Sequence, residues 1–165
     1  MKILITGSNG LLGNDCKQVL RHEHDVVACN SQEMDITDEK AIHEALNENN
    51  PDIVVNCAAY TKVDACESQK ELAWKINVDG TRRIALGASE HGSKLIHIST
   101  DYVFDGTSKK PYTEKDSTCP INVYGASKLR GEEMAMKQSP SSIIIRTSWL
   151  YSSFENNFVN TMKRL

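Results

Sequence analysis

A glycine-rich segment near the N-terminus constrains the fold more than any other part of the chain. Lys2–Thr6 is a short apolar run with β-branched residues, which is typical of a buried strand. Gly7, Gly10 and Gly13 follow at three-residue intervals, and a helix is predicted over Leu11–Arg21. Such a turn offers free backbone N–H groups and the positive end of a helix dipole, which together can bind a pyrophosphate. The spacing G-x-x-G-x-x-G departs from the G-x-G-x-x-G dinucleotide fingerprint, so an ordinary strand–turn–helix is the alternative.

Length and composition predict one soluble globular domain. The 165 residues are 39% hydrophobic and 25% charged, with a net charge of −3. A chain of this length can bury a sizeable core. Its basic residues are scattered along the sequence, so a nucleic-acid surface is not expected.

The cysteines and the short apolar runs predict a cytoplasmic protein. The five cysteines are odd in number and form no C-x-x-C pair, which favours free thiols over disulfides or a zinc site. The longest apolar stretches, such as Ile53–Tyr60, are far shorter than a membrane span, and no signal peptide precedes the first strand. Neither a membrane partner nor a metal site is therefore predicted.

Strands and helices are predicted to alternate along the whole chain. The further strands are Asp25–Cys29, a short piece at Met34–Ile36, Asp52–Asn56, Lys94–Ser99 and Ser142–Thr147. The further helices run from an N-cap at Thr37 to about Asn49, over Ser68–His91 with Gly92 at the C-terminal end, over Val123–Gln138 and over Phe154–Leu165, with a long loop at Asp101–Asn122. This order predicts an α/β fold, a Rossmann-type doubly wound parallel sheet with helices on both faces. Ligands of such sheets bind at the carboxyl ends of the strands.

Polar or small residues follow several of the predicted strands. The segment Asn56–Thr61 has small side chains that would let the backbone approach a flat cofactor ring, although a packing role is the simpler reading. Asp35 could accept a hydrogen bond from an adenine amino group, or could be a surface turn residue. Ser99, Thr100 and Asp101 place two hydroxyls and a carboxylate at a strand end.

Tyr124 and Lys128 are the candidate acid–base pair. They are four residues apart on a predicted helix, so both side chains can point into one cleft. A free phenol has a pKa near 10, and a neighbouring ammonium favours the phenolate and lowers that pKa. Alone, the pair could be an exposed helix pair. The pair is accompanied, in a fixed order, by the glycine turn, the Asn56 segment and the Ser99–Thr100 strand end. A chance occurrence of this whole combination is improbable.

Four longer stretches resemble one enzyme family. They are residues 56–64 (NCAAYTKVD) with Glu67, residues 99–106 (STDYVFDG), residues 120–128 (PINVYGASK), and residues 146–151 (RTSWLY) followed by 156–158 (NNF). Over its whole length the chain resembles the extended branch of the short-chain dehydrogenase/reductase superfamily, whose members use the G-x-x-G-x-x-G turn. Within that branch it is most similar to dTDP-4-dehydrorhamnose reductases.

The resemblance implies a role for each matching residue. Tyr124 would protonate the substrate carbonyl oxygen, Lys128 would lower the pKa of that tyrosine and hold the nicotinamide ribose, and Thr100 would hydrogen-bond the reacting oxygen. Asn77 would support the site. The implied cofactor contacts are Gly7, Gly10, Leu11, Leu12 and Gly13 at the pyrophosphate, Asp35 and Ile36 at the adenine, and Ala58, Ala59, Tyr60 and Thr61 at the nicotinamide half, while Asp101 and Trp149 would line the sugar pocket.

The implied cofactor is NADPH or NADH. The predicted second strand ends in Cys29, Asn30 and Ser31, with neither an acidic residue for the ribose hydroxyl of NAD nor a basic one for the phosphate of NADP. Mg²⁺ and a homodimer are expected from the resemblance alone. Family members continue beyond this length, so residues 1–165 are expected to form the NAD(P)-binding Rossmann domain without the C-terminal substrate-binding lobe.

The implied reaction is reduction of the C4 carbonyl of dTDP-4-dehydrorhamnose to dTDP-rhamnose, for surface or spore-coat polysaccharide. The dTDP-sugar is the expected partner, and its site in this chain is expected to be incomplete. One alternative is a non-catalytic NADP-binding subunit, related to the regulatory subunit of methionine adenosyltransferase. Another is a sugar epimerase or dehydratase of the same branch, against which the string at residues 100–104 (TDYVF) argues.

Overall fold

The computed structural model describes residues 1–154 and 157–164, and its centre is a five-stranded parallel sheet. The strands are β1 (Lys2–Thr6), β2 (Asp25–Cys29), β3 (Ile53–Asn56), β4 (Lys94–Thr100) and β5 (Ile143–Thr147), in the order β2-β1-β3-β4-β5. The helices are α1 (Leu11–Leu20), α2 (Glu39–Asn49), α3 (Val63–Ser68), α4 (Lys70–Trp74), α5 (Thr81–Glu90), α6 (Val123–Gln138) and α7 (Phe158–Arg164). All four strand pairings are parallel, as predicted.

Both faces of the sheet are covered, which confirms the doubly wound fold. On one face Leu4, Val54 and Leu95 pack in a cluster with buried residues of α2 and α5, among them Leu46 and Ile84. On the other face Ile3, Ile5 and Val55 form a second cluster, against which Cys16 and Leu20 of α1 pack. The strands are therefore apolar on both sides, as expected for a parallel sheet between two helix layers.

The segment between β2 and α2 is a series of turns, so the strand predicted at Met34–Ile36 is wrong. The side chain of Asn30 accepts hydrogen bonds from the backbone N–H groups of Gln32 and Glu33. Met34 and Ile36 are buried because they anchor this loop in the core rather than pair with a neighbouring strand.

The N-cap predicted at Thr37 is also wrong by one residue. Asp38 caps α2, and its carboxylate accepts hydrogen bonds from the backbone N–H groups of Lys40 and Ala41. A carboxylate at this position also interacts favourably with the helix dipole, which favours Asp38 over the hydroxyl of Thr37 as the cap.

The long helix predicted at Ser68–His91 is interrupted and begins earlier. It consists of α3, α4, a π-helical turn at Lys75–Gly80 and α5. Gly92 follows with φ +71°, which agrees with its predicted place at the C-terminal end. The π turn widens the helix where it contacts Ile36: a Cβ on Gly80 would lie 2.8 Å from Ile36 Cδ1.

The C-terminal part of the described chain is exposed. The helix α7 is shorter than the predicted Phe154–Leu165, and the predicted positions 155, 156 and 165 lie outside the described residues. None of the described helices has the length and apolar character to cross a membrane.

Candidate active site at the carboxyl ends of the strands

The glycine turn brings β1, β3 and the start of α1 into direct contact. Gly7 has φ +65°, and a Cβ there would lie 2.8 Å from the backbone of Ala58. A Cβ on Gly13 would lie 2.3 Å from the carbonyl oxygen of Gly7. No side chain among the described residues caps α1 at Gly10, so its first N–H groups face the turn. Uncapped N–H groups beside a tightly packed turn fit a pyrophosphate.

A cleft of about 800 Å³ extends from this turn along the carboxyl ends of the strands. Its floor is the edge at which a doubly wound sheet binds its ligands. The predicted residues that line it are Gly7, Gly10, Leu11, Leu12, Gly13, Asp35, Ile36, Ala58, Ala59, Thr61, Thr100, Asp101, Tyr124, Lys128 and Trp149. The size suits a dinucleotide, and the structure places nearly the whole predicted set around one cavity.

Tyr124 lies in the first turn of α6, against the end of β4. The side chain of Asn122 caps α6 by accepting a hydrogen bond from the Gly125 N–H at 2.7 Å. Burial raises the pKa of Tyr124, a hydrogen bond with Thr100 lowers it, and the carboxylate of Asp101 raises it further. The net direction is upward, and the predicted lowering of this pKa by Lys128 stays a prediction. A raised pKa keeps the phenol protonated at neutral pH.

Lys128 lies one helical turn further along α6 and is 2% exposed. Its Nζ donates a hydrogen bond to the Ile98 carbonyl oxygen at 2.7 Å. Burial lowers the pKa of Lys128 to about 8, while Glu132 and Cys57 raise it. Lys128 is therefore mostly protonated at neutral pH, but its pKa lies close to the pH of the solution.

Asn77, in the π turn, joins three segments around the site. Its Oδ1 accepts from the Tyr60 N–H at 2.8 Å, and its Nδ2 donates to the Tyr60 carbonyl oxygen and to Ser127 Oγ. The residue is fully buried. It therefore fixes the loop after β3 against α6, consistent with the predicted supporting role.

One predicted residue, Tyr60, is placed differently from expectation, whereas Asp35 is not. Tyr60 does not line the cleft: its backbone is bound to Asn77 and its hydroxyl donates to Gln69 Oε1. Asp35 lines the cleft, but one carboxylate oxygen already accepts from the Thr37 N–H at 2.8 Å. The turn role and the pocket role of Asp35 are thus compatible.

Other residues line the cleft without having been predicted. Among them are Asn9, Cys57, Lys75, Ile76, Tyr102 and Ser148. Cys57 and Ser148 follow strand ends, a signal that could have identified them. Lys75 and Ile76 reach the cleft through the π turn, for which the sequence carries no visible signal.

Cysteines and potential metal ligands form no further centre in the described part of the chain. All five cysteines are free, and Cys16 shares a hydrogen bond with Cys57. Within residues 1–154 and 157–164 no group of three or more His, Cys, Asp or Glu side chains is placed to hold a metal ion.

Comparisons with known proteins give the family of the chain. The family model described as RmlD substrate binding domain matches residues 1–165. A dTDP-4-dehydrorhamnose reductase of Aggregatibacter actinomycetemcomitans is 41% identical over 99% of this chain and 56% of its own length. The spore coat polysaccharide biosynthesis protein SpsK of Bacillus subtilis is 42% identical over 99% of this chain and 58% of its own length.

A solved structure gives the same relationship in three dimensions. The dTDP-4-dehydrorhamnose reductase of Bacillus anthracis, solved in complex with NADP, superposes with a TM-score of 0.96 at 42% identity, covering 99% of this chain and 58% of that one. The chain thus spans little more than half the length of these relatives. Because the family model covers every residue, the chain belongs to the family of the RmlD substrate binding domain.

Proposed function

We propose that this chain is the cofactor-binding and acid–base part of an NADPH-dependent reductase for a dTDP-linked 4-keto-6-deoxy sugar. The observation that carries the proposal is the convergence of Tyr124, Thr100 and Lys128 on the cleft that ends at the glycine turn. The relatives named above, including a reductase solved with NADP, support the substrate and the cofactor.

The glycine turn would hold the pyrophosphate of the cofactor. A Cβ at Gly7 would meet the backbone of Ala58, and a Cβ at Gly13 would meet the carbonyl oxygen of Gly7, so the shape of the turn depends on glycine at both positions. Bound NADPH would supply a hydride to the sugar C4 carbonyl carbon. Lys128, as an ammonium, would bind the nicotinamide ribose.

Tyr124 would act as the general acid. Its raised pKa keeps the proton on the phenol oxygen until the substrate carbonyl oxygen gains negative charge. Thr100 is buried beside it and is hydrogen-bonded to it, so the threonine hydroxyl would orient the same oxygen. Asp101 and Trp149, at the exposed side of the cleft, would contact the sugar.

The non-catalytic alternative is less well supported. A subunit that only binds NADP needs the glycine turn but not a buried acid next to a buried lysine. Tyr124 is 8% exposed and Lys128 is 2% exposed. Burial of two titratable groups at one cleft is costly and typical of a catalytic site.

The test combines a binding assay with a turnover assay on the Tyr124→Phe variant. Turnover of dTDP-4-dehydrorhamnose, followed by NADPH oxidation, is measured on this chain and on a chimera that joins it to the remaining part of the Bacillus subtilis relative. Loss of a positioned proton donor lowers turnover by about 10²–10⁴-fold. NADPH binding, followed by cofactor fluorescence, stays within about twofold, because the phenyl ring keeps the packing.

Tyr112→Phe is the matched control, since Tyr112 loses the same hydroxyl but lies outside the residues that line this cleft, stacked on Phe104. It keeps its turnover. Near-normal turnover in Tyr124→Phe removes that residue from the acid role. If this chain and the chimera, both with Tyr124 in place, bind NADPH but neither turns over the substrate, the non-catalytic subunit is favoured.

A further inference from the structure

A partly buried ion pair between Glu132 and Arg146 joins α6 to β5, one helical turn beyond Lys128. Glu132 is 5% exposed, and its carboxylate accepts hydrogen bonds from Arg146 Nε at 3.0 Å and Arg146 Nη2 at 2.7 Å. Ser99 Oγ donates to the same carboxylate at 2.5 Å. In the β4–β5 register Ser99 lies beside Arg146, so adjacent strands hold the carboxylate from two sides. The Arg146 guanidinium also stacks over the Phe104 ring at 5.1 Å.

The same helix face carries Tyr124, Lys128 and Glu132 at successive four-residue steps. Lys128 Nζ binds the carbonyl oxygen of Ile98, and Glu132 binds the side chain of the next residue, Ser99. The two side chains therefore end against adjacent residues of β4. From there the carboxylate acts on the ammonium and raises the pKa of Lys128.

The other groups facing Lys128 are a histidine and a thiol. His97, on β4, is fully buried, and burial holds its pKa well below the usual range, so the ring is neutral. Asn56 Nδ2 donates to His97 Nδ1, and within the described residues His97 Nε2 has no hydrogen-bond partner. Cys57, after β3, has a raised pKa through its hydrogen bond with Cys16 and its burial, and the same hydrogen bond lowers the pKa of Cys16 to about 7. Glu132 is the group that raises the pKa of Lys128 most, and Cys57 raises it less.

We infer that Glu132 is a positioning residue of the site: its carboxylate, fixed by Ser99 and Arg146, keeps the Lys128 ammonium charged at the floor of the cleft. The functional meaning of this inference rests on the proposed reductase function, whereas the charge relationship does not. The competing explanation is that the ion pair only joins α6 to β5. That explanation predicts a loss of stability and no change in the titration of Lys128.

The test is an NMR titration of lysine side chains labelled with ¹³C at Cε. The Lys128 resonance is the one missing from the spectrum of Lys128→Met. In wild-type protein it titrates near pH 8. In Glu132→Gln, which keeps the side-chain size but removes the charge, the midpoint falls by about one pH unit or more, because an opposite charge nearby favours the charged form.

The matched control is Glu133→Gln. Glu133 is the next residue of α6, is exposed, and pairs with Arg130. Its removal leaves the Lys128 midpoint unchanged. An unchanged midpoint in Glu132→Gln overturns the inference.

A second variant covers the case in which Glu132→Gln does not fold, since it leaves the charge of Arg146 unpaired. Glu132→Gln combined with Arg146→Met removes both charges, a replacement that buried ion pairs often tolerate. The Lys128 midpoint still falls, by less than in the single variant, because the repulsion from Arg146 is also gone. A midpoint equal to that of the wild type overturns the inference here too.

The titration separates this inference from the proposed function, because it needs neither cofactor nor turnover. Where the chimera is active, the pH profile of kcat/KM adds a second measurement. The ammonium is lost as the pH rises, so the alkaline limb of the profile moves to lower pH in Glu132→Gln and activity recovers at acidic pH. If kcat/KM instead falls by the same factor at every pH and the alkaline limb of the profile does not move, the positioning role is contradicted.

Discussion

At the residue scale, burial decides the protonation of the two central side chains. Tyr124 is an acid and Lys128 a base, so burial raises the pKa of the first and lowers that of the second. The phenol is held in its proton-donating form, and the lysine is brought close to losing its charge. A lysine so close to losing its charge is the kind of group that a fixed carboxylate, such as that proposed for Glu132, would keep protonated.

Gly13→Ala tests whether the pyrophosphate site depends on the close approach of backbone to helix. The new Cβ would lie 2.3 Å from the Gly7 carbonyl oxygen, so the turn must move away from α1. We expect NADPH binding to weaken by about tenfold or more, the equivalent of about 1.4 kcal/mol. Cofactor fluorescence titration measures the dissociation constant.

Asn14→Ala is the control for this substitution, because it changes the adjacent residue of α1 and improves helix propensity. It binds NADPH as the wild type does. Equal affinity in Gly13→Ala, with circular dichroism showing a folded protein, contradicts a pyrophosphate site at this turn.

At the scale of elements, the π turn connects the loop after β3 to the helix that carries the acid–base pair. Asn77 makes hydrogen bonds with both backbone groups of Tyr60 and with Ser127. Asn77→Ala leaves these buried groups without a partner, and we expect the free energy of unfolding to fall by about 1–3 kcal/mol. Urea unfolding measures the change.

Asp79→Ala is the matched change in the same turn, at an exposed position. Its effect stays within about 0.5 kcal/mol. A similar loss in both variants assigns the effect to the turn itself rather than to the Asn77 hydrogen bonds.

The elements also indicate what a single sequence can predict. The strands and α6 were predicted closely because apolar runs and caps are local signals, as in Lys2–Thr6 and Val123–Gln138. The strand expected at Met34–Ile36 was wrong because two buried apolar side chains resemble a strand even when they only anchor a loop. The π turn could not be predicted, since it carries no local signal and its close contact, Gly80 against Ile36, is distant in sequence.

At the scale of the whole molecule, the parallel topology brings the site residues together at one edge of the sheet. Residues from Gly7 to Trp149 line one cleft because every strand of the described sheet ends at the same edge. Position after a strand predicted the residues that follow β3 and β4, whereas most of the other site residues were implied by the family resemblance. The charge arrangement beneath the site was not predicted, because Glu132 and Arg146 meet through the β4–β5 register and resemble ordinary surface residues in the sequence.

The buried Lys128 also makes the stability of the whole domain depend on pH. Its pKa is about 8 in the folded protein, against 10.5 for an ordinary lysine. Between these values the unfolded chain binds more protons than the folded one, so the contribution of Lys128 to the free energy of unfolding rises with pH. Cysteines with raised pKa values, such as Cys29 and Cys66, act in the opposite direction, because an acid with a raised pKa holds its proton in the folded state.

Comparison with Lys128→Met removes the contributions of Cys29 and Cys66, which do not depend on Lys128, and leaves the contribution of Lys128 together with its interaction with Cys57. We expect the unfolding free energy of the wild type, minus that of the variant, to rise by about 2 kcal/mol between pH 7.5 and 9.5. Urea unfolding at intermediate pH values follows this difference. Lys137→Met, at an exposed position of the same helix, leaves the corresponding difference flat. If the difference in unfolding free energy between wild type and Lys128→Met is also independent of pH, the folded protein keeps this ammonium charged throughout the range. Glu132 then raises the pKa of Lys128 by more than burial lowers it.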